Sequence, residues 1–336
     1  MAEISEQAAK VLAAMAGAAT TWGLELGLRT GVLGEIARRG GASAEEVAAA
    51  LDLDPLYTKV LLRGAYSAEV LDLDDDRYRL GEHMGTLLLD PDSPAYLSGA
   101  IKTMVALRET FLDLRGFAAT GQREWWGDFD PEWIDAVGEN GQTYYRRILN
   151  VVVPQLPAVQ EKLEAGARYL DLACGLCRGP AKVAEAFPQT RITAVDCDAY
   201  SLDQAEREMK ERGIGDRFTF LRSFLENLDL EGGHDLAIIN ISLHEARDIA
   251  RAVERAYAAL DPGGVFLVSE FSFPEREEDT RTIPGRLMSG VQFFEAHIGC
   301  QLLPTSRFLE LLGGAGFQDI GTIDVTPTHV VVHGTK

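Results

Sequence analysis

The chain has 336 residues, 46% hydrophobic and 25% charged, enough for two globular domains with ample core. Its 32 Lys and Arg against 52 Asp and Glu give a formal charge of −20, a field that repels phosphate backbones and anionic membranes, so neither nucleic acid nor membrane is an expected partner. The first thirty residues lack a basic start, apolar core and cleavage site, and no eighteen consecutive residues are apolar, so a soluble cytoplasmic protein is expected. Cys174, Cys177, Cys197 and Cys300 are too few for a disulfide scaffold, and the C-x-x-C formed by Cys174 and Cys177 has no second pair or His cluster to complete a zinc site. No metal is expected.

In chain order, apolar residues recur at helical spacing through "AAKVLAAMAGAAT", "GVLGEIARRG" and "AEEVAAALDL". Gly40 and Gly41 separate the second helix from the third, Ser43 with Glu46 forms a capping-box signal, and Asp54-Pro55 opens the helix "PLYTKVLLRGAY". Two strand-like runs, "EVLDL" and "RYRLGE", follow around the turn Asp74-Asp75-Asp76, so residues 1–96 read as a winged-helix-like module. A DNA reader is disfavoured there, because only Lys59 and Arg63 are basic between Pro55 and Val70 and the wing carries three Asp. Its alanine-rich helices have apolar faces that two short strands cannot cover, which predicts a homodimer.

Residues 97–165 are predicted to be a helical bridge with an aromatic knot, "REWWGDFDPEW". Met104, Trp125, Tyr144 and Tyr145 are its candidate pocket residues, with core packing as the alternative. From 166 to 336 strands alternate with helices, "RYLDLAC", "RGPAKVAEAF", "RITAVDCD", "SLDQAEREMKERG", "RFTFLRS", which predicts a doubly wound Rossmann-like α/β sheet. The alternation continues through "HDLAIINIS", a helix, the turn "DPGG" and "VFLVSEF". "QDIGTIDV" and "HVVVHGT" should close it as a terminal antiparallel hairpin.

The strand "YLDLACG" runs into a loop that opens a helix, where backbone N–H groups and a helix N-terminus face a nucleotide. Asp196, at the end of the next strand, is placed to accept ribose hydroxyls. Between Pro274 and Pro304 a long insertion lies at the ligand-binding edge of the sheet. Its Met288, Phe293, Phe294 and His297 sit at near-helical spacing and read as one buried face, with His297 a second polar group for the substrate.

"YLDLACG", "TAVDCD", "LHEARD", "AALDPGGVFLVSE" and "AGFQDIGTIDVTPTHVVVHGTK" together resemble the S-adenosylmethionine-dependent class I O-methyltransferases that carry an N-terminal winged-helix dimerisation domain. The resemblance spans nearly the whole chain. It implies S-adenosyl-L-methionine as cofactor, held by Asp171, Ala173, Gly175, Cys177, Asp196, Cys197, Ser223, Phe224 and Asn240. Two departures stand out: Ala173 and Cys177 occupy two positions of the family's Asp-x-Gly-x-Gly-x-Gly loop, and Ser223 stands where the family commonly has an adenine-binding Asp. Cys177 is expected to set its sulfur against the methionine part, with Gly179 relaxing the loop in compensation. His244 matches the family's catalytic base and Glu270 the acid that orients it, although His244-Glu245-Ala246 replaces the usual His-Asp-Trp. The implied reaction is methyl transfer to a hydroxyl of an aromatic or polyketide-like small molecule, with Met104, Trp125, Tyr144, Tyr145, Met288, Phe293 and His297 around the acceptor. Alternatives are transfer to N, C or S, a non-methylating enzyme of the same fold, or a ligand-sensing regulator.

Overall fold

The computed structural model describes residues 3–336, and at 109–113 the backbone alone. The chain divides into two compact units, Met1–Arg108 and Glu109–Lys336, so the segment expected as a separate bridge is shared between them.

The first unit holds α1 (Ile4–Arg29), α2 (Val32–Arg39), α3 (Ala44–Leu51), α4 (Pro55–Ser67), the antiparallel pair β1 (Leu71–Asp74) and β2 (Arg77–Leu80), and α5 (Met84–Leu88). Ser43 caps α3 in a reciprocal box with Glu46, and Asp54 caps α4 ahead of Pro55. Val32, Leu33, Ile36, Val47, Leu62 and Leu71 centre its core. α1 stays largely outside that core, with Val11, Leu12, Met15 and Trp22 all more than half exposed. By length and mean hydropathy α1 could cross a membrane, although its apolar window is interrupted by Gly and Thr, which is why a search for continuous apolar runs passes over it.

α6 (Ser98–Thr120) begins in the first unit and ends in the second, where α7 (Pro131–Arg147) and α8 (Pro157–Glu164) precede the sheet. There follow β3 (Arg168–Leu172), α9 (Arg178–Ala186), β4 (Arg191–Asp196), α10 (Ala199–Glu211), β5 (Phe218–Arg222), β6 (His234–Asn240), α11 (Ile249–Ala259), β7 (Leu260–Phe271), α12 (Ile283–Ile298), α13 (Thr305–Ala315), β8 (Gln318–Thr326) and β9 (His329–Thr335). The seven strands lie in the order β5-β4-β3-β6-β7-β9-β8, parallel from β5 to β7. β9 is antiparallel to both β7 and β8. Alternate residues feed two cores: Tyr169, Ala194, Ile238 and Leu267 on one face, Leu170, Val195, Ile239 and Val268 on the other.

"DPGG", expected as a turn before β7, lies within that strand as an irregularity: His234 pairs with Leu260 while Leu236 pairs with Val265. The insertion after β7 folds as α12, capped by Thr282 and closed at its base by the Phe273–Pro304 bridge.

Candidate functional site

The order reverses at β3, whose neighbours β4 and β6 lead away on either side, and a ligand crevice forms outside the carboxyl ends of strands at such a point. The loop after β3 takes left-handed φ at every second residue: Ala173 58°, Gly175 51°, Cys177 54°. These are the positions where the resembled family has glycines, so the fingerprint backbone is kept although two of the three residues carry a Cβ. Each such residue costs about 1–2 kcal/mol, a strain that surrounding structure must hold. Gly175 N donates to Asp196 Oδ2 at 2.8 Å and Asp198 N to Oδ1 at 2.9 Å, tying the loop to the end of β4.

Two expectations for this loop change. Cys177 has no accessible surface and belongs to the core cluster with Tyr145 and Ala181, so its sulfur packs within that core; burial pushes its thiol pKa up. Gly179 is already within α9 and has no loop to relax: a Cβ there would drive into the Tyr145 ring.

Asp171, at the end of β3, is fully buried and accepts from the hydroxyls of Tyr145, at 2.6 Å, and Tyr169. Its Oδ1 is buried without a hydrogen-bond partner. Burial pushes this carboxyl up to about 7, against the pull of the two hydroxyls. Tyr145, expected near an acceptor, is instead a buried partner of Asp171. Ser223 follows β5, and its hydroxyl is committed to the Phe224 carbonyl at 2.8 Å. The Arg247 guanidinium lies 4.5 Å over the Phe224 ring and 5.1 Å from the Trp125 ring. Cys197 is half-buried beside Asp196, with its thiol pushed up to about 11 by burial. Asn240 Oδ1 accepts from Ser269 Oγ at 2.8 Å, and that oxygen in turn faces His329 Nε2 at 2.8 Å.

His244 sits in the short turn after β6, and Glu270 near the end of β7 holds it. Glu270 Oε2 is 2.8 Å from His244 Nδ1, while Oε1 accepts from the amides of Leu243 at 2.7 Å and His244 at 3.3 Å. Glu295 of α12 lies on the other side of the ring, Oε2 3.2 Å from Nε2. That pair is close enough but not aligned, since both atoms are buried with no hydrogen-bond partner. Burial favours the neutral ring, but the two carboxylates together outweigh it and hold the imidazole pKa well above its usual range. Half-buried Glu245 accepts from Trp126 Nε1 at 2.7 Å, and burial, then the neighbouring Glu295, push its carboxyl up to about 8.

Glu245, Glu295, Trp126 and Arg247 were not singled out from the sequence. Glu295 had a signal, an acid within the apolar stretch "VQFFEAHIG", where a buried carboxylate requires a partner.

Of the proposed acceptor residues, Met288 and His297 are buried on α12, His297 Nε2 being 2.7 Å from Glu124 Oε2. Phe293 is 57% exposed and does not share their face; Phe294 does, within an aromatic cluster with Trp126, Phe129 and Trp133. Tyr144 packs edge-on against His329 and Phe271. Met104 belongs to the first unit.

A doubly wound sheet ending in an antiparallel β7-β9-β8 arrangement, with a left-handed loop after its first strand and an acid after its second, defines the methyltransferase fold class. The family model described as "Methyltransferase domain" matches residues 170–266, from β3 into β7. Among solved structures, apo S-adenosylmethionine-dependent methyltransferase SibL superposes with a TM-score of 0.70 at 21% identity, covering 97% of this chain and 98% of that one. Human N-acetylserotonin methyltransferase in complex with SAM gives 0.68 at 19% identity, covering 100% and 99%. Sterol 24-C-methyltransferase erg6 of Aspergillus fumigatus is 22% identical over 162 residues, 48% of this chain and 42% of that enzyme. The chain spans less than two thirds of the length of the curated relatives it matches first.

Proposed function

We propose that this chain is an S-adenosylmethionine-dependent methyltransferase acting on a hydroxyl of an aromatic or polyketide-like small molecule. The observation that carries the reading is the glycine-type backbone of the loop after β3, kept at Ala173 and Cys177 despite its strain. Strain of this kind persists at ligand sites because the surrounding structure is built to hold it. The residues fit the cofactor: Asp171 Oδ1 is a buried acceptor with nothing to accept, suited to an ammonium group reached through a water, and Asp196, at the end of β4, would take the ribose. When bound, S-adenosylmethionine supplies an electrophilic methyl group on a sulfonium sulfur.

The chain's own task is to orient the acceptor and take its proton. Glu270 fixes the Nδ1 side of His244, and once Glu295 moves away and the imidazole releases the proton that the two carboxylates hold on it, Nε2 is the proton-accepting atom. With no exposed side-chain surface and Glu295 against Nε2, His244 meets an acceptor only when α12 shifts Glu295 aside. Trp125, Phe224 and Arg247 would enclose the adenine, and the Trp126–Phe129–Trp133–Phe294 cluster the acceptor ring. Transfer to carbon is the second reading, favoured by the match to a sterol C-methyltransferase. The first unit would serve as a winged-helix dimerisation domain of a cytoplasmic homodimer, the exposed apolar side of α1 being its contact.

Calorimetric titration with S-adenosylmethionine and its demethylated product tests the reading. Low-micromolar binding of both is expected, followed by methyl transfer in an acceptor screen with His244→Ala as control; no binding of either ligand would refute the assignment.

A further inference from the structure

Adjacent strands bring a row of polar side chains to one face of the sheet at its ligand edge. Alternation from the core residues Tyr169, Ile238, Leu267 and Val331 puts Asp171 of β3, Asn240 of β6, Ser269 of β7 and His329 of β9 on that face. The last three form a chain of hydrogen bonds, Ser269 Oγ lying 2.8 Å from both Asn240 Oδ1 and His329 Nε2. Methyl transfer by His244 leaves His329, which has no exposed surface, without a role.

The environment of His329 gives the chain one direction. Its Nδ1 is buried with no hydrogen-bond partner, Tyr144 packs edge-on against the ring, and burial, then the Arg147 charge, hold its pKa down at about 3. A bare lone pair tolerates that position, whereas an N–H there would be a stranded donor beside a cation. The ring proton is therefore on Nε2 and points at Ser269 Oγ, so Ser269 gives its own proton to Asn240 Oδ1. The amide N–H2 of Asn240 is left as the free end of the row, on the half-buried last residue of β6, and among the described residues nothing accepts from it. The backbone turns away at once: Ile241, a β-branched residue, has φ 51° and is held there by its N–H to Ser269 O at 2.7 Å.

We propose that His329, acting through Ser269, is a positioning residue that aims the Asn240 N–H2 at the carboxylate of the cofactor's amino-acid portion. This rests on the methyl-transfer reading. S-adenosylmethionine carries an ammonium and a carboxylate on the same carbon. Asp171, in register with Ile238 two residues before Asn240, has the orphan oxygen suited to the ammonium, and a carboxylate beside an acid requires a donor. A neutral amide supplies one, and fixing its direction in advance spares the ordering that binding would otherwise impose.

Two measurements on the full-length protein test this. Nitrogen NMR shifts of the His329 ring should show the neutral Nε2–H tautomer at neutral pH; an Nδ1–H tautomer or a doubly protonated ring would overturn the proposal. Calorimetric titration then compares S-adenosylhomocysteine with methylthioadenosine, which keeps the nucleoside and sulfur but lacks the amino-acid portion. Asn240→Asp sets a carboxylate against a carboxylate and should weaken S-adenosylhomocysteine at least about 10-fold while methylthioadenosine stays within about 2-fold. His329→Leu frees the Ser269 proton and the amide to take either direction and should cost S-adenosylhomocysteine about 3- to 10-fold. His329→Gln, whose amide can still donate to Ser269, should recover most of that loss. Variants that bind S-adenosylhomocysteine as natively, or lose both ligands alike, overturn the inference; if His329→Leu does not fold, the tautomer and Asn240→Asp decide. Native protein that binds neither ligand removes the methyltransferase reading, and this inference with it.

Discussion

Substituting glycine at the two left-handed, Cβ-bearing positions of the loop after β3 should have opposite effects. At Ala173 the relief of about 1–2 kcal/mol is offset by glycine's greater freedom in the unfolded chain, about 0.5–1 kcal/mol. Losing a half-buried methyl costs roughly 0.4 kcal/mol, so Ala173→Gly is neutral to stabilising by up to about 1 kcal/mol. Cys177 has the same backbone conformation but a fully buried side chain, and deleting its Cβ and sulfur costs roughly 1.6 kcal/mol of transfer energy plus about 1 kcal/mol for the cavity. Cys177→Gly should therefore be the less stable variant by about 2–3 kcal/mol relative to Ala173→Gly. Urea unfolding followed by far-UV circular dichroism reads both, and S-adenosylhomocysteine titration should give native affinity within about 3-fold for Cys177→Gly, since the sulfur faces the core. If Cys177→Gly were stabilised like Ala173→Gly, or bound the ligand at least tenfold more tightly, the inward placement of Cys177 would be wrong.

Asp171 should impose a pH dependence on stability. Its folded pKa of about 7 lies above the ordinary 3.8 of an Asp side chain, so the folded state binds the extra proton between them and stability falls as pH rises from about 4 to 7, by roughly 4 kcal/mol at most. Chemical unfolding at several pH values should show that slope in the native chain and its loss in Asp171→Asn. Gly179→Ala should destabilise by about 2–3 kcal/mol by pushing the Tyr145 ring off Asp171, with a lowered thermal midpoint and altered tyrosine fluorescence as readouts. Phe294→Ala should cost about 3–5 kcal/mol and Phe293→Ala less than about 1 kcal/mol in the same melts. His244→Ala should lower methyl transfer by about 10² to 10⁴ while cofactor titration stays near native.

The sheet was legible in the sequence because its central strands are covered on both faces and read as short apolar runs such as "YLDLAC" and "HDLAIINIS". Local signals were legible too, the Ser43–Glu46 box and the Asp54-Pro55 start, while the pairing of Glu270 with His244 was implied only by the family resemblance. What escaped depended on direction or long-range approach. Cys177 reads as a ligand-facing replacement for glycine until its packing is known: its side chain is buried in the core cluster with Tyr145, whereas Ala173, with the same left-handed φ, stays half-buried. Phe293 and Phe294 differ by one residue, about 100° of helix rotation, and composition alone does not say which faces inward. Glu295 meets His244 through the packing of α12, which no local pattern encodes.

The position of β9 between β7 and β8 sets an order of assembly during synthesis. β8 leaves the ribosome first but has no place in the sheet until β9 has emerged to pair with both neighbours. Until then the far edge of β7, including the backbone of Ser269 and Glu270, is an unpaired strand edge of the kind that recruits other chains. The residue that orients His244 is thus anchored by one of the last pairings the domain can make, Glu270 opposite Val330, and a nascent chain stalled before residue 329 would display an adhesive edge at the centre of its future chemistry.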